Sequence, residues 1–301
     1  MPTFLPVLID PILPVFSILA FGFGMGRTGR TTTEAARTIN RFAMTVLIPI
    51  VVFDLLANAP FRQLELQPAL LYIAVQAIVF TGGYQLARRA FGFVPGEAVV
   101  LGYGAVFANN VFYGLPLAQL IYGTAPLPIV TIVVLDATIS FGGTMVALQT
   151  LAMGRVSPKG IALIFLKTPT LIAIFAGLAM GALALPIPAP LQTFLDFNGA
   201  AAAPVALFAL GVILAETSFT RDPAVLTFTL VKLALFPASI WVVMRTLAPD
   251  AQADLWTFGA APPTGAMAMS LALLYDIRTT TIAQILVWTS VLSLFTLAIL
   301  A

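Results

Sequence analysis

The chain has no cysteine and no histidine, and only 9% of its residues are charged. Without thiols there is no disulfide and no thiolate nucleophile. Without imidazole there is no histidine metal site, no histidine proton relay and no Ser–His hydrolase pair. A soluble domain carries about 25% charged residues. With 60% hydrophobic residues over 301 positions, too little polar surface remains to face water, so lipid must solvate much of this chain. The net charge of +2 is small and dispersed, which gives no basis for a nucleic-acid partner. The alternating segments of about ten residues that mark a membrane β-barrel are missing. In their place are continuous apolar runs of about 20 residues, the length of a bilayer-spanning helix. The sequence is apolar almost from Met1 and has no basic stretch ahead of that run, so the expectation is a first spanning helix rather than a cleaved signal.

Charges, prolines and glycines divide the chain into ten apolar stretches, at about 6–26, 36–58, 68–90, 97–122, 126–152, 160–184, 189–215, 224–247, 253–275 and 279–300. With the N-terminus outside, the inner connections hold Arg27, Arg30, Arg37, Arg88, Arg89, Arg155, Lys159, Arg221 and Arg278, and the outer ones hold Arg62 and Arg245. Cytoplasmic loops favour Lys and Arg, so this bias places both termini outside and requires an even number of helices.

The chain also repeats itself. A shift of 155 positions lays Pro14 on Pro169, Gly22 on Gly177, Met25 on Met180, Gly26 on Gly181, Phe42 on Phe197, Pro49 on Pro204, Phe53 on Phe208, Gly104 on Gly259 and Ala105 on Ala260. Five helices per repeat is an odd number, so the second copy enters the membrane inverted. Inverted repeats belong to alternating-access carriers. The expected units are residues 1–156 and 157–301.

Two stretches carry helix breakers at their centres. The fourth holds Asn109, Asn110, Gly114 and Pro116, and the ninth holds Pro262, Pro263, Thr264 and Gly265. Pro263 is the repeat counterpart of Ala108, so the breaks lie at equivalent depth. Backbone without helical partners is tolerated in a bilayer only beside protein or a wet cavity. Paired interruptions mark a midplane site, where half-helix N-termini suit an anion. These eight residues are the candidate substrate site. The bland reading of each break is a structural kink. Asp136 in the fifth stretch and Lys232 in the eighth lie well inside the membrane, where a charge costs about 2.5–3.5 kcal/mol and usually pairs or lines a pathway. They are the candidate ion-coupling pair, with a static salt bridge as the alternative.

The stretches Asn40–Phe42–Pro49, Asn110 to Leu117 ending in Gly-Leu-Pro-Leu, Leu207 to Val212, Lys232-Leu233 followed by Pro237, and Leu286 to Leu297 resemble the auxin efflux carrier family, in particular its bacterial malonate-transporter-like members. The resemblance runs along the whole chain. It implies an all-α fold similar to sodium/proton antiporters and bile-acid symporters, with the broken fourth and ninth helices crossing at the midplane. It also implies a scaffold bundle and a transport bundle that move against each other, organic anions as substrates (malonate, other carboxylates, or auxin), and dimerisation through the scaffold bundle. Exchangers of that fold place a carboxylate and a lysine where Asp136 and Lys232 stand.

The expectation is therefore a secondary carrier for a small organic anion, in a bacterial inner membrane, with proton or sodium coupling. No catalytic residue, metal or cofactor is expected. A cation/proton antiporter of the same fold is the first alternative, although the crossing holds amides and Thr264 rather than carboxylates. An intramembrane enzyme would need Asp-rich metal motifs or facing aspartates, and neither arrangement is present. A channel would lack saturable flux.

Overall fold

The computed structural model describes residues 17–123, 126–154, 166–216 and 222–300. Among them the structure is helical, and a helix occupies each of the ten stretches. α1 spans residues 17–27. It is followed by α2 (Thr33–Ala57) and α3 (Leu66–Arg89). The fourth stretch is split into α4 (Pro95–Val106) and α5, which begins with a π-helical turn at Asn110–Gly114 and continues as Leu115–Tyr122. α6 (Leu127–Ala152) is continuous. α7 (Pro169–Ala182) and α8 (Ala189–Glu216) follow, then α9 (Pro223–Leu247). The ninth stretch is split into α10 (Ala253–Ala260) and α11 (Ala266–Leu274), and α12 is Thr280–Leu300. Pro14, Arg155, Lys159 and Arg221 lie outside the described residues.

Helix ends follow local chemistry. The Thr32 hydroxyl accepts the Ala35 N–H at the start of α2, and the Asp222 carboxylate accepts the Ala224 N–H ahead of Pro223 in α9. Gly154 closes α6 at φ 67°, a left-handed conformation that glycine adopts without strain. Inside the helices, π-helical turns lie at Ala43–Leu47, Asn110–Gly114, Asp136–Phe141 and Val231–Leu235. Three of these are followed two residues later by proline, at Pro49, Pro116 and Pro237. Proline has no N–H to give to the preceding turn, and a widened turn upstream absorbs that mismatch without ending the helix.

The breaks are placed differently from what the prolines suggest. The fourth stretch is interrupted at Phe107–Asn109, ahead of the amide pair, and Pro116 lies in the helix that resumes beyond it. Pro116 is therefore not the breaker. The ninth stretch is interrupted from Ala261 to Gly265, where Pro262 and Pro263 do end α10.

Two packing groups emerge. α1, α2, α7 and α8 pack on one another, and α3 to α6 and α9 to α12 form the second group. In the first group the contacts are reciprocal between the repeat-related residues. A Cβ at Gly22 would stand 2.2 Å from the Phe208 carbonyl oxygen, and one at Gly177 would stand 2.9 Å from the Phe53 carbonyl oxygen. Only glycine allows backbones this close. The groups meet through a buried hydrogen bond from Ser270 on α11 to Asn40 on α2, at 2.8 Å.

Candidate functional site

The two interruptions meet. Ala108 and Thr264 form an antiparallel bridge, in which Asn109 N–H donates to the Pro263 carbonyl at 2.9 Å and Gly265 N–H donates to the Phe107 carbonyl at 3.1 Å. Backbone groups stranded by each break thus find partners in the other. Side chains complete the exchange. Asn110 Nδ2 donates to the Gly259 carbonyl at 2.8 Å, and Thr264 Oγ1 donates to the Gly104 carbonyl at 2.9 Å. Gly104 and Gly259 are the residues that coincide at the 155-residue shift, so the repeat-related carbonyls are capped from opposite halves. Thr264 N–H donates to Thr289 Oγ1 on α12 at 3.2 Å.

Seven of the eight candidate substrate-site residues therefore surround one crossing: Asn109, Asn110, Gly114, Pro262, Pro263, Thr264 and Gly265. Gly114 lies under the Asn110 amide, and a Cβ there would stand 2.2 Å from Asn110 Oδ1 and 3.1 Å from Pro262 Cγ. Pro116 stands two residues further along α5. Beyond the crossing, α5 and α11 each begin anew, so two helix N-termini, whose first N–H groups have no partner within their own helix, point back toward the break. Small hollows flank it. One is lined by Ala108, Asn109, Asn110, Val111, Ala266 and Ser270, and a neighbouring one by Asn109, Tyr113, Thr264 and Ser290. Positive partial charge, an amide and hydroxyls in a buried place are suited to hold a carboxylate.

Asp136 and Lys232 lie beside this crossing, 3% and 0% exposed. They do not form the direct salt bridge expected as one reading of the sequence. No ion pair within 4.0 Å joins them among the described residues, although they lie within electrostatic reach. Each is held by a helix end instead. Lys232 Nζ donates to the carbonyl of Ala260, the last residue of α10, at 2.7 Å. A cation there complements the negative end of that half-helix. Asp136 lies against the backbone of Ala108, just ahead of α5, where a carboxylate complements the positive end. Asp136 Oδ1 also accepts from Gln76 Nε2 at 2.7 Å, and Ser140 Oγ donates to Gln76 Oε1 at 2.5 Å. Asn110, Asp136 and Lys232 each occupy a π-helical turn, a distortion frequent at functional sites.

Gln76 and Ser140 were missed by the sequence reading. The available signal was a lone amide at the centre of the third apolar stretch, which has no business in lipid without a partner.

Two interrupted helices that meet at their breaks are a feature of many secondary transporters. The family model described as membrane transport protein matches the chain twice, over residues 7–156 and 153–301, and the chain belongs to this family, which includes the auxin efflux carriers. It is 28% identical over 245 residues to the "Putative malonate transporter" of Rhizobium meliloti (strain 1021), covering 77% of this chain and 75% of that protein. It is 24% identical over 247 residues to the "Uncharacterized transporter YfdV" of Escherichia coli (strain K12), covering 78% and 77%. A shorter match of 120 residues at 30% identity, 38% of this chain and 18% of the relative, is to the "Uncharacterized transporter YNL095C" of Saccharomyces cerevisiae. These relatives are named as transporters, in keeping with an integral membrane protein that handles a small molecule.

Proposed function

We propose that the protein is a secondary active transporter for a small organic anion of the malonate-like carboxylate class, working by elevator-type alternating access. The observation that carries this reading is the break-to-break crossing, with the N-termini of α5 and α11 and the Asn110 and Thr264 side chains at one place. Such a site offers donors and positive partial charge, and Asp136, the carboxylate beside it, is offset by Lys232 within electrostatic reach, which favours an anion over a metal cation. The two inverted five-helix repeats, residues 1–156 and 157–301, are supported by the reciprocal glycine contacts and by a family model that matches each half. In this reading α1, α2, α7 and α8 form the scaffold, and the second packing group carries the crossing across the bilayer. Both termini face outside, in a bacterial inner membrane.

Asp136 and Lys232 are the coupling residues in this scheme. A proton taken up by Asp136 alters the charge balance at the crossing, which links substrate occupancy to protonation.

Ligand binding to the folded state raises apparent stability by mass action. The test is thermal stabilisation of the purified protein against malonate, succinate, malate and indole acetate, beside sodium and lithium at two pH values. Stabilisation by one carboxylate, followed by saturable flux of that compound into liposomes, supports the reading. Stabilisation by cations alone replaces it with a cation/proton antiporter.

A further inference from the structure

We propose that a hollow lined by Glu65, Leu127, Pro128, Thr131, Gln252 and Trp256 is the mouth of an aqueous proton path that reaches Asp136 by way of Trp256 and Tyr72. This rests on Asp136 being the coupling carboxylate. The hollow is framed by the starts of α3, α6 and α10, at the end of the bundle that the Lys and Arg bias places outside. Trp256 forms its inner wall and is 1% exposed. Its ring lies 5.6 Å from that of Tyr72, which is fully buried. One helical turn beyond Tyr72 on α3 is Gln76, the residue that grips Asp136 Oδ1.

Along this line three buried polar atoms have no hydrogen-bond partner among the described residues: Trp256 Nε1, the Tyr72 hydroxyl and Asp136 Oδ2. Buried polar groups are nearly always paired with protein or ordered water, so three orphans in series call for a shared explanation. Water between them satisfies all three. An indole N–H only donates, so Trp256 anchors a water. A phenol both donates and accepts, so Tyr72 passes a proton on. At the end of the path a hydronium gives its proton to Asp136 Oδ2, forming the O–H bond of the neutral acid and leaving water. The groups facing Asp136 are Lys232 from α9, Tyr72 and Gln76 from α3, Tyr103 from α4, Ser140 on its own helix and the Ala108 backbone. A metal cation needs several oxygen ligands whereas a proton needs a single acceptor oxygen, so the proton is the ion this path suits.

The chain has no native cysteine, so single-cysteine variants report without background. Thr131→Cys in the hollow, Tyr72→Cys on the path and Phe236→Cys are treated with a small water-soluble methanethiosulfonate. Phe236 is equally buried and its ring lies 5.9 Å from that of Tyr72, so its replacement opens a similar space off the path. Labelling of the Thr131 and Tyr72 variants about tenfold faster than the Phe236 variant is expected, and equal labelling of Tyr72→Cys and Phe236→Cys overturns the path. Tyr72→Phe keeps the ring and removes the relay hydroxyl. It should slow substrate-linked proton movement in liposomes about tenfold while substrate binding is kept, the scale of a lost proton-transfer group. Wild-type proton movement in Tyr72→Phe overturns the path, and if Asp136→Asn abolishes that movement the coupling reading survives. Full proton movement in Asp136→Asn overturns the coupling reading itself, and the cysteine labelling still decides whether water reaches Tyr72.

Discussion

Gly114→Ala is a sharp test of the crossing, because its cost is set by one neighbour. The new methyl would stand 2.2 Å from Asn110 Oδ1, well inside contact distance. α5 and the bridge at Ala108 fix the backbone, so the Asn110 side chain must turn away. Turning breaks its 2.8 Å bond to the Gly259 carbonyl and leaves that carbonyl buried without its side-chain donor. A stranded buried polar group costs about 1–3 kcal/mol, and overpacking of a tight site costs a similar amount. Both costs flow through one displaced side chain and do not simply add, so a total of about 2–4 kcal/mol is expected. Asn110→Ala alone should cost about 1–3 kcal/mol. With Asn110 truncated, however, the main obstacle to the methyl is gone, and the next atom in its way is Pro262 Cγ at 3.1 Å. Adding Gly114→Ala to Asn110→Ala should then cost under about 1 kcal/mol, giving a coupling energy of about 1–3 kcal/mol between the two sites. Unfolding of all four proteins in mild detergent measures the cycle. Strict additivity would refute the argument, since it would mean that Asn110 is not what Gly114 accommodates.

Asn110→Ala should also abolish carboxylate flux while the protein remains folded in the membrane, and wild-type flux would remove Asn110 from the site. Lys232→Met keeps the length of the side chain but loses its bond to the Ala260 carbonyl, so a loss of about 1.5–3 kcal/mol is expected in thermal unfolding. Combining it with Asp136→Asn should cost less than the sum, since no lone charge is then left buried; a fully additive pair would mean that the two do not sense each other. Asp136→Asn alone should flatten the pH dependence of flux, and an unchanged profile would reduce Asp136 to a structural group. Asn40→Ala removes the acceptor for Ser270 and with it the one buried side-chain bond described between α2 and α11, so it should destabilise by about 1–2 kcal/mol and change the flux rate more than substrate affinity.

The helices were legible because spanning a bilayer demands about 20 apolar residues, and a stretch of that length has few other uses. Caps and charges then set the ends, as Thr32 and Asp222 do. The breaks were legible only in part. Pro262 and Pro263 do end α10, but Pro116 does not end anything, because the π-helical turn at Asn110–Gly114 already supplies the slack that a proline needs. A proline two residues beyond is the local mark that three of the four π turns share, but local sequence does not tell a proline absorbed by such a turn from one that ends its helix. The true interruption, Phe107–Asn109, carries no breaker at its first two positions, and it exists because Thr264 and its neighbours supply the partners that a helix would otherwise provide. That is a tertiary fact, and no window of sequence contains it.

The charges make the same point from the other side. Opposite charges inside the fifth and eighth apolar stretches suggest a salt bridge, since mutual attraction is the simplest way to offset burial. The structure has a different solution. The crossing creates free helix ends in the middle of the bundle, and each end carries about half an elementary charge. Asp136 lies by a positive end and Lys232 binds a negative one, so both charges are met without touching each other. A locked ion pair would hold its members in one protonation state. Charges balanced against fixed helix ends leave Asp136 Oδ2 unengaged among the described residues. A carboxylate placed that way can gain or lose a proton without dismantling the crossing, and a coupling residue needs that freedom.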